Sequence, residues 1–316
     1  MSLSKDKMSR CVTAAKALRF DSPSIRVENM AANTLGLNAA QRLMAFPLPD
    51  PNATLDKLVA HLTKEREEIL RTEGHIPSFV VDQDALGTYY ISGTLTYLKS
   101  RGIPQLVQDR LRQHESVRRG IMDLTKGHDL EALAAALVNA ACGTAQATQA
   151  SADQGIDVVG WNTLLPLDPC FLSGAVHGSR APFPGERVIV LASAKKVEGR
   201  NSARLSRAHI RELVGGWLIQ RSNAGAWRSH GVSLLTPVQM LLVTTYQMSL
   251  DARAECHTLG IQVWNLPELV FLICKYAPAP VFDASKNHNF VRSAFRAWWS
   301  PFNKTRLVPA AALSPP

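Results

Sequence analysis

Three residues stand where they could share one reaction. Asp157 opens an apolar run, Asp157-Val-Val-Gly-Trp161, and Ser193-Ala194-Lys195 closes another, Val188–Ala192. Side chains on a strand alternate between its faces, so Ser193 and Lys195 point the same way. If the two runs are neighbouring strands, an acid, a hydroxyl and an ammonium meet at one end of a sheet. A carboxylate can hold a hard cation such as Mg²⁺, which takes oxygen ligands and keeps several waters. A lysine beside it can position a water and steady negative charge. Phosphodiester hydrolysis has the same needs: a held metal, an activated water and charge stabilisation at the scissile phosphate.

The surrounding pattern supplies strands and helices to carry these groups. Residues 130–144 read as an alanine-rich core helix. Strands are expected at 157–161, 188–192, 240–245 and 261–264, with helices near 206–221, 249–259 and 266–275. Ser206 is placed to cap the first of those helices, and Ile210, Leu213, Val214, Trp217 and Leu218 form its apolar stripe. Asn265-Leu-Pro-Glu268 reads as a capping box with proline in the first turn. Apolar strands alternating with helices imply an α/β layer covered on both faces.

Residues 128–276 resemble the Mrr-type restriction endonuclease domain of the PD-(D/E)xK superfamily. The resemblance is carried by His128-Asp-Leu-Glu131-Ala-Leu as the opening helix, Asp153-Gln-Gly-Ile-Asp157 as the D-x-G-[IV]-D segment and Val190-Leu-Ala-Ser193-Ala-Lys195-Lys196 as the lysine strand. Ile210-Arg-Glu-Leu213-Val-Gly215 follows as the next helix, and Leu242-Val-Thr-Thr245 continues the order, ending at Trp264. The resemblance implies a mixed central sheet flanked by helices, with a mostly helical N-terminal region ahead of it. It further implies a DNA endonuclease dependent on Mg²⁺ or Mn²⁺, of a restriction or anti-phage defence system. Asp157, Lys195, Ser193 and Glu131 would be its catalytic residues, and Asp157, Glu131 and the Ala194 carbonyl its metal ligands.

Ser193 departs from that pattern, because the family carries a carboxylate or amide there. Three readings stay open. The missing acid comes from elsewhere, as in some type II restriction enzymes with Ser-x-Lys and a glutamate on the following helix. Glu212 fits by position, but 100° steps from Ile210 turn it away from the apolar stripe. Glu131 or Glu198 could substitute. In the second reading Asp157, Glu131, the Ala194 carbonyl and water suffice. In the third, cleavage is lost and the fold is a DNA-binding or assembly subunit of a defence complex. Asn162–Arg187, between the two strands, is either an arm beside DNA or a surface insertion.

Bulk properties fit an anionic partner. The chain of 316 residues has a net charge of +9. Lys196, Arg200, Arg204, Arg207 and Arg211 cluster around the lysine strand and the following helix as candidate phosphate contacts. Duplex DNA is the expected partner, with a homodimer to cut both strands and a possible defence-system protein as a further partner. Five cysteines with no CxxC spacing suit buried thiols in a reducing compartment. With no secretion signal and no long apolar run, a cytoplasmic chain without a membrane span is expected. The histidines show no zinc-ligand spacing.

Three regions are expected: a recognition or partner region over 1–125, the nuclease domain over 126–276 and a basic-aromatic tail over 277–316. In the first, Leu55, Leu58, Val59, Leu62, Ile69 and Leu70 predict a helix, Phe79–Val81 a short strand, and 85–100 a hairpin or a helix. Pro104 opens a helix to about Leu124. Ala277–Phe282 reads as a linker. The tail either stacks bases or docks as an amphipathic helix.

Overall fold

The computed structural model describes residues 3–46, 52–70, 74–125, 127–148, 155–162, 188–196, 205–222 and 237–304. The chain divides into two compact units, Met1–Arg112 and Gln113–Pro316.

The first unit is helical around one small sheet. It runs α1 (Lys5–Lys16), β1 (Ile25–Arg26), α2 (Val27–Leu35), α3 (Ala39–Ala45), α4 (Asn52–Glu68), β2 (Phe79–Gln83), β3 (Tyr89–Gly93), α5 (Thr94–Ser100) and α6 (Gln105–Leu111). The three strands pair antiparallel in the order β1-β3-β2. Leu55, Leu58 and Leu62 of α4 pack with Cys11, Val27, Met30, Phe79 and Ile91 in one core. The stretch 85–100, open between hairpin and helix, is both: β3 closes the hairpin and α5 follows it directly.

The second unit is a mixed α/β layer. It comprises α7 (His114–Met122), α8 (Gly127–Cys142), β4 (Gly143–Ala147), β5 (Val158–Asn162), β6 (Val188–Lys195), α9 (Arg207–Ser222), β7 (Val238–Thr244), α10 (Leu250–Thr258), β8 (Gln262–Trp264) and α11 (Leu266–Tyr276). The sheet order is β4-β5-β6-β7-β8. The pairs β4–β5 and β5–β6 are antiparallel, and β6–β7 and β7–β8 are parallel. Helices cover both faces. Val159, Ile189 and Leu191 meet Ile210, Leu213 and Trp217 of α9 on one face. On the other, a Cβ at Gly160 would stand 3.2 Å from Val138 of α8 and 2.8 Å from the Thr144 carbonyl, so only glycine lets helix and edge strand approach this closely.

Several sequence expectations need correction here. The helix opened by Pro104 is two helices, α6 and α7, broken at Arg112–Gln113 and assigned to different units. α6 packs with α5 and α7 with α11, and no proline or glycine marks the break between them. Arg110 on α6 is buried. Leu218 drops out of the α9 stripe and is exposed. β4 was not legible in the short, small-residue run Gly143–Ala147.

The expected linker at Ala277–Phe282 is packed structure, with Ala277, Val281 and Phe282 buried. It leads into β9 (Phe282–Asp283), β10 (Asn289–Phe290), α12 (Arg292–Trp299) and α13 (Pro301–Lys304). Phe290 packs at a tilt between Phe282 and Phe295, and Phe295 meets Trp299 edge-on, so these aromatics are spent on the protein's own core. Asn303 donates to Asp129 at the start of α8, 3.0 Å away. The amphipathic-helix reading of the tail therefore describes residues 292–304. The Asn265–Glu268 capping box forms as expected, and Cys11, Cys256 and Cys274 are buried. Among the described residues no helix is long and apolar enough to cross a membrane.

Candidate active site

The sheet register brings the sequence-chosen residues to one strand end. Val158 pairs with Ala192 and Val159 with Leu191, so the next step outward sets Asp157 opposite Ser193. Both belong to the face that carries Val159 and Leu191, which is the face of α9. The Asp157 Oδ2 accepts the Ala194 backbone N–H at 2.6 Å and the Ser193 hydroxyl at 3.1 Å. Asp157 is only 7% exposed and Ser193 is fully buried. The Asp157 backbone N–H donates to the Ala192 carbonyl at 2.8 Å, which ties the turn to β6 just before β5 begins. Ser193 thus acts as a donor holding the acid.

Ala194 also offers its carbonyl. The N–H and C=O of one strand residue point to the same edge. Its N–H reaches Asp157, so its C=O faces that side too, beyond the first residue of β5. Lys195, the next residue, turns its carbonyl the other way and accepts from Thr245 N–H at 3.2 Å.

Lys195 shares the face of Ser193, and its side chain is 22% exposed. Its Nζ lies 3.4 Å from the Glu212 carboxylate. Glu212 is half exposed and lies off the apolar stripe, as the helical wheel expects, yet its carboxylate still meets Lys195. The wheel asked only whether Glu212 points down onto the sheet. In a β6-α9-β7 crossover the helix starts near the end of β6, so a residue on its flank can pass the sheet margin and meet a long lysine. Gly155 fixes the approach. Its φ is +88°, and a Cβ there would sit 2.8 Å from the Glu212 Cγ. The glycine two residues before Asp157, followed by a glutamate in the first turns of α9, was the signal available in the sequence.

Glu131 lies on α8, the helix that packs on the other face of the sheet through Val138 at Gly160. It is buried, and its Oε2 lies 3.4 Å from the His128 ring. Among the described residues no group of three His, Cys, Asp or Glu side chains is gathered as a ready metal cage.

The basic candidates behave differently. Lys196, on the opposite parity to Lys195, donates its ammonium to the Leu124 carbonyl just past α7. Arg207 and Arg211 lie 3.2 Å and 3.4 Å from Glu255 of α10, and the Arg207 side chain also approaches Asp251. Two cations there face two acids. Arg200 and Arg204 lie outside the described residues, as do Asp153, Glu198 and most of Asn162–Arg187. Elsewhere in the unit, burial pushes the Glu268 carboxyl up to about 7, although the Asn265 backbone N–H and the Arg253 charge oppose the shift.

No known sequence family matches the chain, and no curated protein matches it. Among solved structures it is similar to MspJI restriction endonuclease in complex with a 27-mer oligonucleotide, at 14% identity and a TM-score of 0.38. The match covers 65% of this chain and 39% of that one, so the chain spans about two fifths of the length of the structure it matches.

Proposed function

We propose that this protein is a DNA endonuclease dependent on Mg²⁺ or Mn²⁺. The observation that carries the reading is the meeting of Lys195 with Glu212 beside the Asp157–Ser193–Ala194 hydrogen-bonded end of β5 and β6. The donor set is all oxygen, which suits a hard divalent cation in kind. Asp157, the Ala194 carbonyl and Glu212 would hold the ion, with Glu131 as a further candidate acid. Such an ion supplies Lewis-acid polarisation of a phosphoryl oxygen and an activated water.

The remaining work falls to the chain's own groups. Ser193 and Ala194 fix the Asp157 carboxylate in one orientation, so it needs little rearrangement to bind. Lys195 directs an N–H donor toward charge that builds on the phosphate oxygens as water attacks in line. Glu212, 3.4 Å from that ammonium, restrains it and supplies the acid that Ser193 does not. A duplex has two strands to cut, so a homodimer would present two such sites. A role in restriction or defence fits this activity, and a defence-system partner could supply its trigger.

The test is degradation of plasmid DNA with Mg²⁺ or Mn²⁺. Wild type is expected to cut, while Asp157→Ala and Lys195→Ala lose cutting and keep DNA binding. A second reading, a silent nuclease fold that binds DNA, is favoured by the buried Ser193 in place of an acid. It prevails if wild type binds duplex, single-stranded and modified DNA but cuts none of them with either metal.

A further inference from the structure

Three buried polar residues form one row across the sheet. β4 and β5 pair Ala147 with Val158, so the next step outward sets Thr148 opposite Asp157. Asp157 in turn stands opposite Ser193 of β6. Thr148 and Ser193 are fully buried, and Asp157 is 7% exposed. The proposed reaction uses the second and third members of the row and leaves the threonine without a task. A hydroxyl taken out of water needs a hydrogen-bond partner.

Thr148 directs both of its donors at the backbone that carries the acid. Its hydroxyl donates to the Ile156 carbonyl at 2.6 Å, at the short end of the range for such bonds. Its backbone N–H donates to the Asp157 carbonyl at 3.0 Å. From the β6 side, the Asp157 N–H reaches the Ala192 carbonyl at 2.8 Å. Neighbours on both sides therefore grip Ile156–Asp157 by three bonds.

The grip matters because of where the acid lies. Asp157 precedes β5 (Val158–Asn162) and follows the turn at Gly155, whose φ is +88°. A glycine backbone has many conformations open to it, so the turn alone leaves the direction of Asp157 unset. The Asp157 Oδ2 nevertheless has to meet the Ala194 N–H at 2.6 Å and the Ser193 hydroxyl at 3.1 Å. A functional group of this kind works when held within about 0.5 Å of its productive geometry.

We propose that Thr148 is a positioning residue for the Asp157 carboxylate. Its two bonds hold the Ile156–Asp157 backbone so that the carboxylate stays on its Ser193 and Ala194 donors and offers its remaining acceptor capacity to a divalent cation. The metal part of this role rests on the nuclease reading. Thr148 itself touches neither ion nor DNA.

Two measurements on the full chain test the proposal. Amide hydrogen exchange at Ala194, in EDTA, reports the Asp157–Ala194 bond without any cleavage. Thr148→Val, close to threonine in shape, is expected to speed it about tenfold while Leu242 and Val243 of β7 exchange as in wild type. The Mn²⁺ concentration for half-maximal plasmid cleavage is expected to rise about tenfold or more, with a smaller loss of rate at saturating Mn²⁺. Thr148→Ser keeps the hydroxyl and restores both values. Thr148→Ala repeats the comparison should valine disturb the fold, and chemical denaturation checks that each variant is folded. If wild type cuts no DNA, the nuclease reading falls, and the Ala194 exchange alone decides whether Thr148 positions Asp157. The proposal is overturned if Ala194 exchanges at the wild-type rate in Thr148→Val, or if cleavage slows at saturating Mn²⁺ with the half-maximal concentration unmoved. It is equally overturned if Thr148→Ser behaves as Thr148→Val does.

Discussion

Two carboxylates in the second unit are buried to the same degree and lead different lives. Asp157 is 7% exposed and Glu268 is 6% exposed. Each accepts a backbone N–H, Asp157 from Ala194 at 2.6 Å and Glu268 from Asn265 at 2.8 Å. Glu268 lies within the first turn of α11, where Leu266–Cys274 is buried throughout, and its job is to close the capping box. Burial there pushes its carboxyl up to about 7. Asp157 lies at a strand end, with the Ser193 hydroxyl on the same oxygen and the half-open Lys195–Glu212 pair on the same face. Burial of an acid does not make a site. A site needs further charged groups that converge on it from other elements and an end open to substrate.

The sharpest way to break this comparison is to neutralise each acid in turn. Asp157→Asn is expected to reduce metal-dependent plasmid cleavage by roughly 10³-fold or more, because on the proposed nuclease reading Asp157 would be the ion's principal anchor. Glu268→Gln, which keeps the cap's geometry, should leave the rate within about twofold. Equal losses from both would dissolve the distinction.

Next in size is Glu212. Glu212→Gln is expected to slow cleavage about 10²-fold, whereas Glu255→Gln, on the arginine cluster of the neighbouring helix, leaves it unchanged. A reversed order would return Glu212 to the surface role that the helical wheel assigned.

Stability against pH sharpens the other half. Glu268 titrates near 7 in the folded chain against 4.5 as an ordinary glutamate. Its folded form binds the proton more tightly, so its contribution is complete below about 4.5 and declines as pH rises through 7. The loss amounts to roughly 3 kcal/mol above that window. Chemical denaturation of Glu268→Gln should show a flatter profile between pH 5 and 8 and a gain over wild type at pH 8. A wild-type profile in the variant would show that Glu268 ionises freely.

The smallest expected effect is at Ser193. Ser193→Ala removes one of two donors on the Asp157 oxygen and should cost about 1–2 kcal/mol in denaturation. Its effect on cleavage should be well below that of Asp157→Asn. A loss as large as that of Asp157→Asn would instead make Ser193 a direct ligand.

Much of this was legible without coordinates. Apolar runs at 157–161, 188–192, 240–245 and 261–264 became strands because residues buried on both sheet faces leave a near-continuous hydrophobic signal. The Asn265 cap could be read because it is local chemistry, settled within four residues. Asp157, Ser193 and Lys195 could be nominated from strand parity alone. The β4 run was silent because glycine, alanine, threonine and glutamine carry little periodicity. The α6–α7 break was silent because no proline or glycine marks it.

The chain's order of residues determined the strands, their buried faces and the parity that aims Ser193 and Lys195 together, since these follow from backbone geometry repeated every two residues. Only the tertiary structure decided which charges meet. It sent Lys195 to Glu212, Lys196 to the Leu124 carbonyl, and Arg207 and Arg211 to Glu255. Long flexible side chains take whatever partner the packing of separate elements brings within reach, and that packing is not written in local spacing.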